Sequence, residues 1–278
     1  MNSVAMLSIV ASMLLCQQVG PPLAVAQVQT APPVDRESKD PIVEGAAAGA
    51  FLPYSSSASL TAYRAAVGVD AGYDGVRGGT VGRVRAELVL LGRKERRWSN
   101  ANLSLFGGGG YGAGERPGDS QAYGYGGLKL QPLVQTVHGV DLATSLAYTS
   151  RGFNLLPAVA GEVVLSKRFG ALTTLFSAAY GQSVEDADRY AALGVAALLR
   201  VAAPLFVGVD AKLSGDLERD QDEPAFEPQV EAVGSGLLSY VSDFVTLTAR
   251  GGLRAVRYRL YSQLLIGPEL GVSASTAL

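Results

Sequence analysis

The sequence predicts an all-β protein, a closed antiparallel up-and-down transmembrane β-barrel of about 12 strands. Three observations favour this fold class. After residue 57 apolar and polar residues alternate with a period of two, the links between these segments alternate in length, and tyrosines recur at the ends of alternate segments. A period of two places successive side chains on opposite faces of a strand, as a sheet between lipid and a polar interior requires.

The first candidate strand shows the alternation clearly. It runs from Tyr63 to Tyr73, with apolar and aromatic residues on one face and Arg64 and Asp70 on the other. Eleven further segments repeat the pattern, and an even strand number is typical of single-chain bacterial barrels. The outward-facing series are predicted to begin at Tyr63, Val84, Ala101, Gly126, Val140, Val159, Leu172, Leu193, Leu205, Val230, Val245 and Leu264.

The polar faces of these strands carry charged residues of both signs. In a dry core such charges are unfavourable unless they are paired, whereas in a watery lumen they are ordinary. We therefore predict that they line the lumen: Arg64, Asp70, Arg83, Arg85, Glu87, Lys129, Asp141, Glu162, Arg200, Asp210, Lys212, Glu231, Arg250, Arg254 and Glu269. A barrel of this size lies between filled eight-strand barrels and open porins, so a narrow pore and a lumen closed by ion pairs are both compatible with the pattern.

The lengths of the links and the positions of the tyrosines support the barrel prediction independently. Short links are predicted at 167–170, 202–204 and 242–243, and longer polar links at 113–121, 150–155, 183–189 and 216–227, as periplasmic turns and extracellular loops alternate. The basic link Arg93–Ser99 departs from this rule. We predict an interfacial aromatic girdle at Tyr63, Tyr73, Tyr111, Tyr148, Tyr180 and Tyr240, because tyrosine favours the boundary between lipid and water.

The N-terminal region divides into two parts before the barrel. Residues 1–26 contain no charged side chain, have an apolar centre, and end in Ala24-Val25-Ala26, which predicts a secretory signal peptide cleaved after Ala26. Residues 27–56 are rich in proline and charge and lack an apolar period, which predicts a disordered periplasmic linker. The barrel domain is then 57–278.

Composition excludes several other classes. The net charge of −2 argues against a nucleic-acid partner, which would favour a basic surface. No segment after the N-terminus approaches the ~20 apolar residues of a spanning helix. The single cysteine, Cys16, lies in the signal segment, so the mature chain is expected to contain none. We expect no cofactor and no metal.

Two segments resemble known binding motifs but have simpler interpretations. The segment Gly107–Gly112 satisfies a G-x-G-x-x-G string, but no helix is expected after it, so glycines that ease strand curvature are the better explanation. The acidic segment 216–227 has acids at EF-hand spacing, yet Gln221 replaces the required glycine and Pro224 interrupts it. A solvated extracellular loop is the preferred interpretation, and divalent-ion binding there is a hypothesis.

The remaining candidates are weaker. His138, the only histidine, is predicted at the periplasmic start of the fifth strand, and no serine motif accompanies it, so we expect no catalysis. Arg93–Trp98 is interpreted as a solvated turn, with contact to phospholipid headgroups as the functional alternative.

Over residues 57–278 the chain resembles the broad class of Gram-negative outer-membrane β-barrel proteins. The resemblance implies an outer-membrane location, lipid and lipopolysaccharide as surroundings, and insertion by the outer-membrane assembly machinery. The last strand ends at Leu278, where members of this class usually carry an aromatic residue. The expected function is a narrow channel or transport barrel. A closed structural or surface-interaction barrel acting through its acidic loops, and a lipid-modifying enzyme, are the alternatives. The sequence indicates neither a substrate nor an oligomeric state.

Overall fold

The computed structural model describes residues 65–91, 102–113, 121–133, 135–150, 157–185, 187–218, 228–242, 245–258 and 263–277. Twelve antiparallel strands form one closed barrel in which each strand pairs with its neighbours in sequence, and β12 pairs with β1. The closing seam extends from the pair Ala66–Ala277 to the pair Asp74–Glu269. The predicted fold class, an up-and-down barrel of twelve strands, is therefore confirmed. The signal peptide, the linker, Tyr63 and Arg64 lie outside the described residues.

Most strands are longer than the apolar series alone indicated. Their bounds are β1 Ala65–Asp74, β2 Gly79–Leu91, β3 Asn102–Ala113, β4 Gln121–Leu133, β5 Asp141–Thr149, β6 Ala158–Phe169, β7 Leu172–Ser183, β8 Arg189–Ala202, β9 Leu205–Glu218, β10 Pro228–Val241, β11 Thr246–Tyr258 and β12 Leu264–Ala277. One short helix, α1 (Gln135–His138), lies between β4 and β5.

Four boundary predictions were wrong. The acidic link was placed at 216–227, but β9 continues to Glu218 because Asp216 still pairs with Tyr190 of β8. The link 167–170 shrinks to the pair Gly170–Ala171, and Gly170 adopts a φ of 60°, as tight hairpin turns require. Val140 and Val245 each precede the strand to which they were assigned. In both links, charged residues still belong to the paired strand: Lys167 and Arg168 in β6, and Asp216 and Glu218 in β9.

The two rims of the barrel differ in their links. We call the rim with the links after β6, β8 and β10 the turn end, and the opposite rim the loop end. The loop end carries most of the longer links, but its β1–β2 link is only Gly75–Gly78. Asp74 closes that turn, since its Oδ1 accepts hydrogen bonds from the backbone N–H groups of Val76 (3.0 Å) and Arg77 (3.2 Å). This tight turn was not among the predicted links.

The outer wall of the barrel is apolar. Valine, leucine, isoleucine and tyrosine side chains are exposed along the strands, for example Val69, Leu146, Val209 and Leu253, and they alternate with buried or half-buried inward residues. This arrangement is the reverse of a soluble barrel, which buries its apolar face. No helix among the described residues is long and apolar enough to cross a membrane.

Part of the interior is packed with apolar residues near the turn end. Leu175, Ala196, Leu198 and Leu237 form one buried cluster although β9 separates β8 from β10. Gly208 of β9 makes this contact possible, because it pairs with Leu198 on one side and Leu237 on the other. A methyl group on Gly208 would lie 2.7 Å from Leu198 Cδ2. The missing side chain thus lets the two leucines meet over the strand between them.

Candidate functional site

The structure places the predicted lumen residues, other than Arg64, on the inward faces of their strands. Half of them are buried: Asp70, Glu87, Lys129, Asp210, Arg250, Arg254 and Glu269. The others are half-buried: Arg83, Arg85, Asp141, Glu162, Arg200, Lys212 and Glu231. Nine of these fourteen take part in two ionic groups.

The first group is centred on Asp70 of β1 and Arg250 of β11. The guanidinium of Arg250 donates two hydrogen bonds to the Asp70 carboxylate, one of them from Nη2 to Oδ2 at 3.1 Å. Arg83 Nε lies 3.9 Å from the same carboxylate. Because β12 lies between β1 and β11, the Arg250 side chain crosses the inner face of a whole strand to reach its partner.

A pair of glycines makes room for this crossing. Gly72 and Gly271 face each other across the β1–β12 seam. A methyl group on Gly271 would lie 2.4 Å from Arg250 Cζ, and one on Gly72 would lie 2.8 Å from Arg250 Nη2. Real carbon atoms in contact stay about 3.5–4.0 Å apart, so any side chain at either position would displace the guanidinium. The two glycines therefore form a cradle for Arg250.

Arg254 joins acids from three strands. Its Nη1 lies 2.9 Å from Glu231 Oε1 and 3.4 Å from Asp74 Oδ2, and its Nη2 lies 3.1 Å from Glu269 Oε2. These acids belong to β10, β1 and β12 respectively. Together with the Asp70 group, they form what we call the arginine–acid network: Asp70, Asp74, Arg77, Arg83, Glu231, Arg250, Arg254 and Glu269. It contains four acids and four arginines and is electrically balanced.

The second group surrounds Glu87 of β2. Its Oε1 accepts a hydrogen bond from Ser104 Oγ at 2.8 Å and one from Lys129 Nζ at 3.4 Å, and Arg85 Nη2 lies 3.5 Å from its Oε2. These residues come from β2, β3 and β4. One buried acid thus contacts two cations and accepts charge-assisted hydrogen bonds from Lys129 and Ser104.

Cations and acids differ in how far they reach into the interior. The side chains of Arg83 and Arg85 are 18% and 27% exposed, whereas those of Asp70 and Glu87 are 0% and 7% exposed. The acids lie against the barrel wall beneath the longer arginine side chains. The accessible surface in this part of the interior is therefore contributed by guanidinium groups more than by carboxylates.

Asp141 belongs to a separate polar cluster near the turn end. Its Oδ1 accepts hydrogen bonds from Gln131 Nε2 (3.1 Å) and the backbone N–H of Gln135 (2.7 Å). Gln135 in turn exchanges hydrogen bonds with the backbone of Arg168 on β6. These contacts fix α1 to the rim of the barrel, which indicates a structural role for Asp141.

The predicted girdle can be compared with the strand register. Four exposed tyrosines lie near the loop end of the odd strands, Tyr73, Tyr111, Tyr148 and Tyr180. Tyr73 of β1 pairs with Thr80 of β2, and Thr80 pairs with Ala113 of β3. The residue of β3 that lies in line with Tyr73 is therefore Ala113, two residues beyond Tyr111. Tyr180 is offset from Tyr148 by the same amount in the same direction. Strands tilted by about 35–45° require an offset of roughly one residue per strand for equal height. Tyr240 is exposed toward the turn end of β10.

The other candidates have mixed outcomes. Gly107–Gly112 lies within β3, so it opens no helix. His138 was expected at a strand start, but it lies at the exposed end of α1. The acidic loop beyond Glu218 and the basic link Arg93–Ser99 fall outside the described residues. Among the residues that the structure describes, no group of three or more histidine, cysteine or acidic side chains is placed to hold a metal ion.

Sequence reasoning missed several interior residues. Asp74 precedes the tight β1–β2 turn and Arg77 lies within it, and Tyr123, Tyr125 and Tyr190 face inward rather than toward lipid. The segment 74–78 (Asp-Gly-Val-Arg-Gly) carries the signal of a turn and was available in the sequence. The inward position of the tyrosines was available as well, because Tyr123 and Tyr125 have the same parity along β4 as Lys129.

A shallow groove of about 420 Å³ lies on the outer wall over the β1–β12 seam, next to the glycine cradle. Its lining is mostly outward apolar residues, including Ala71, Leu270 and Val272, and it also includes Arg250 and the two cradle glycines.

Comparisons with known proteins show similarity in fold. No family model matches the sequence, and no curated protein matches it. The structure is similar to that of the NanC porin, with a TM-score of 0.52 and 10% identity over 76% of this chain and 100% of that chain. LpxR from Salmonella typhimurium aligns with a TM-score of 0.45 and 9% identity over 77% of this chain and 100% of its own. At such identities the likeness to NanC concerns the fold alone, a closed antiparallel barrel.

Proposed function

We propose that the protein is an integral outer-membrane barrel that forms a narrow channel. This proposal rests on the difference in polarity between the outer and inner faces of the closed barrel wall. The outer face exposes large apolar side chains, and the inner face holds arginines such as Arg83 and Arg85 that stay partly accessible to solvent. Lipid around the barrel would contact the apolar outer face, and water within it would solvate the charged inner face.

The tyrosine register supports the membrane position. Within each of the pairs Tyr73–Tyr111 and Tyr148–Tyr180, the rings are offset by two residues across two strands, as equal height in a tilted barrel requires. Amphipathic rings at one height mark a boundary between lipid and water. In this arrangement the loop end faces outward and the turn end faces the periplasm, and both termini of the barrel are periplasmic.

Heat-modifiable gel migration of the outer-membrane fraction and planar-bilayer recording test this function together. Folded protein in the outer-membrane fraction with discrete conductance steps is the expected result. Folded, heat-modifiable protein that gives no conductance above the lipid baseline would reject the channel while leaving the membrane barrel intact.

A second function is favoured by the apolar cluster near the turn end. Leu175, Leu198 and Leu237 pack together on the inner face of β7–β10, and the arginine–acid network adds buried ion pairs to the inner face of β10–β12, β1 and β2. A barrel closed in this way would act as a structural or surface-interaction protein through its loops.

Leu237→Ala distinguishes the two functions. In a closed barrel it creates conductance that the parent lacks, and in a channel it enlarges conductance already present. Leu238→Ala, on the exposed outer face of the same strand, is the control and is expected to change neither.

We propose no catalytic role for this barrel. His138 lies exposed at the end of α1, away from the ionic groups of the interior. The expected surroundings are outer-membrane lipid and lipopolysaccharide, and insertion is expected to use the assembly machinery. A His138→Ala variant is expected to match the parent protein in lipase and deacylase assays, and a loss of such an activity would contradict this proposal.

A further inference from the structure

Two parallel rows of residues cross the inner wall of β2, β3 and β4. In one row Arg85 pairs with Gly108, which pairs with Tyr125. In the other, two residues closer to the loop end, Arg83 pairs with Gly110, which pairs with Tyr123. Each row therefore has the order arginine, glycine, tyrosine, and all six residues face the interior.

The glycines bring the tyrosines toward the arginines. A methyl group on Gly108 would lie 2.7 Å from the Tyr125 hydroxyl, and one on Gly110 would lie 2.8 Å from the Tyr123 hydroxyl. Both rings thus lie directly over β3, with their hydroxyl ends on the side of β2. A side chain at either glycine would push its ring away from the arginine in the same row.

The rings are also held against each other. The centroids of Tyr123 and Tyr125 are 6.4 Å apart with 20° between the ring planes, and Phe106 lies 6.4 Å from Tyr125 on the other side. Two hydroxyl groups and two guanidinium groups are consequently presented together on a rigid aromatic base. The acids nearest to the arginines, Asp70 and Glu87, lie buried beneath them and do not share this surface.

We propose that these rows form a binding site for the oxyanion of a small solute, a carboxylate or a phosphate. The proposal rests on the proposed channel and names the class of solute that it takes. Guanidinium groups bind the planar edge of a carboxylate or phosphate through paired hydrogen bonds, and phenol hydroxyls donate further ones. The rings offer a flat apolar surface to the rest of the solute.

Titration calorimetry on the full-length folded barrel tests the site without relying on conductance. The probes are inorganic phosphate and benzoate, with chloride as the reference anion. We expect saturable heat with at least one oxyanion and none with chloride at the same concentrations. Phosphate alone would identify a phosphate site, and benzoate alone a site for carboxylates attached to a ring.

Variants locate the binding. Arg83→Gln combined with Arg85→Gln is expected to weaken oxyanion binding by about tenfold or more, since charge-assisted hydrogen bonds are lost. Tyr125→Phe keeps the ring and removes one donor, so a smaller loss is expected. Lys212→Gln removes a positive charge from β9 on the opposite wall and is expected to leave the affinity within about twofold. Heat-modifiable migration verifies that each variant folds.

The outcomes separate this site from the channel. Binding without conductance would reject the channel and retain the site. Conductance without oxyanion binding, or equal losses for the arginine pair and for Lys212, would overturn the site, because the effect would then come from the total charge of the interior.

Discussion

Replacing Gly271 by alanine tests whether the glycine cradle holds the arginine–acid network together. The new methyl group would lie 2.4 Å from Arg250 Cζ and 2.5 Å from its Nη2. Because contacting carbon atoms rest at about 3.5–4.0 Å, the guanidinium has to move by more than ~1 Å and leaves its paired hydrogen bonds to Asp70. The substitution therefore separates a buried ion pair without removing either partner.

The expected loss in the free energy of unfolding follows from the surroundings of the Asp70–Arg250 ion pair. Removing one partner of a buried ion pair costs about 3–5 kcal/mol. In this variant both charges remain, and Glu269 Oε1 lies 3.8 Å from Arg250 Nε, so the displaced guanidinium keeps one acid within reach. We therefore expect Gly271→Ala to lower the free energy of unfolding by about 2–3 kcal/mol. Guanidinium-induced unfolding in phospholipid vesicles, followed by far-ultraviolet circular dichroism, measures it.

Gly251→Ala is the matched control. Gly251 follows Arg250 on the same strand but faces outward, and its methyl group would lie 3.5 Å from Leu270 Cδ2, an ordinary contact. Its effect is expected to stay within about 0.5 kcal/mol. In an Arg250→Ala background the cost of Gly271→Ala is expected to disappear. Equal losses for the two glycine variants, or an undiminished loss in that background, would refute the cradle.

Two further predictions concern the outer wall and the second ionic group. Val195→Arg, at the middle of the exposed face of β8, is expected to cost about 2–4 kcal/mol in vesicles, because it places a charge at the centre of the lipid. Val201→Arg, on the same face near the strand end, is expected to cost about 0–1 kcal/mol. Small and equal effects measured in the same unfolding assay would contradict a lipid-facing wall. Glu87→Gln removes the buried charge shared by Lys129 and Arg85 and is expected to cost about 2–3 kcal/mol, against ~1 kcal/mol for the half-buried Glu231→Gln. Equal losses on chemical unfolding would mean that burial does not set the strength of these pairs.

The barrel architecture was predictable because it depends on a local pattern. Side chains alternate with a period of two in every strand, so Val67 and Val69 could be assigned to one face and Asp70 to the other without knowledge of any partner. The strand ends were less predictable, as β9 shows. There Asp216 and Glu218 still pair with Tyr190 and Arg189 of β8, although their charge is typical of a solvated loop.

The pairing of the interior charges was not predictable in the same way. Asp70 and Arg250 are 180 residues apart and meet only because β12 closes against β1. The sequence indicates that both residues face inward, but it does not give the register that places Gly72 opposite Gly271. Without that register, the sequence does not show why glycine is required at positions 72 and 271.

The sequence by itself determined the twelve-strand barrel and the inward position of the charged residues, because both follow from alternation along a single strand. The tertiary structure decided which of these residues meet. It placed Gly108 between Arg85 and Tyr125, and Gly208 between Leu198 and Leu237. Interior contacts of this kind arise across three strands at a particular register, and only the closed sheet fixes that register.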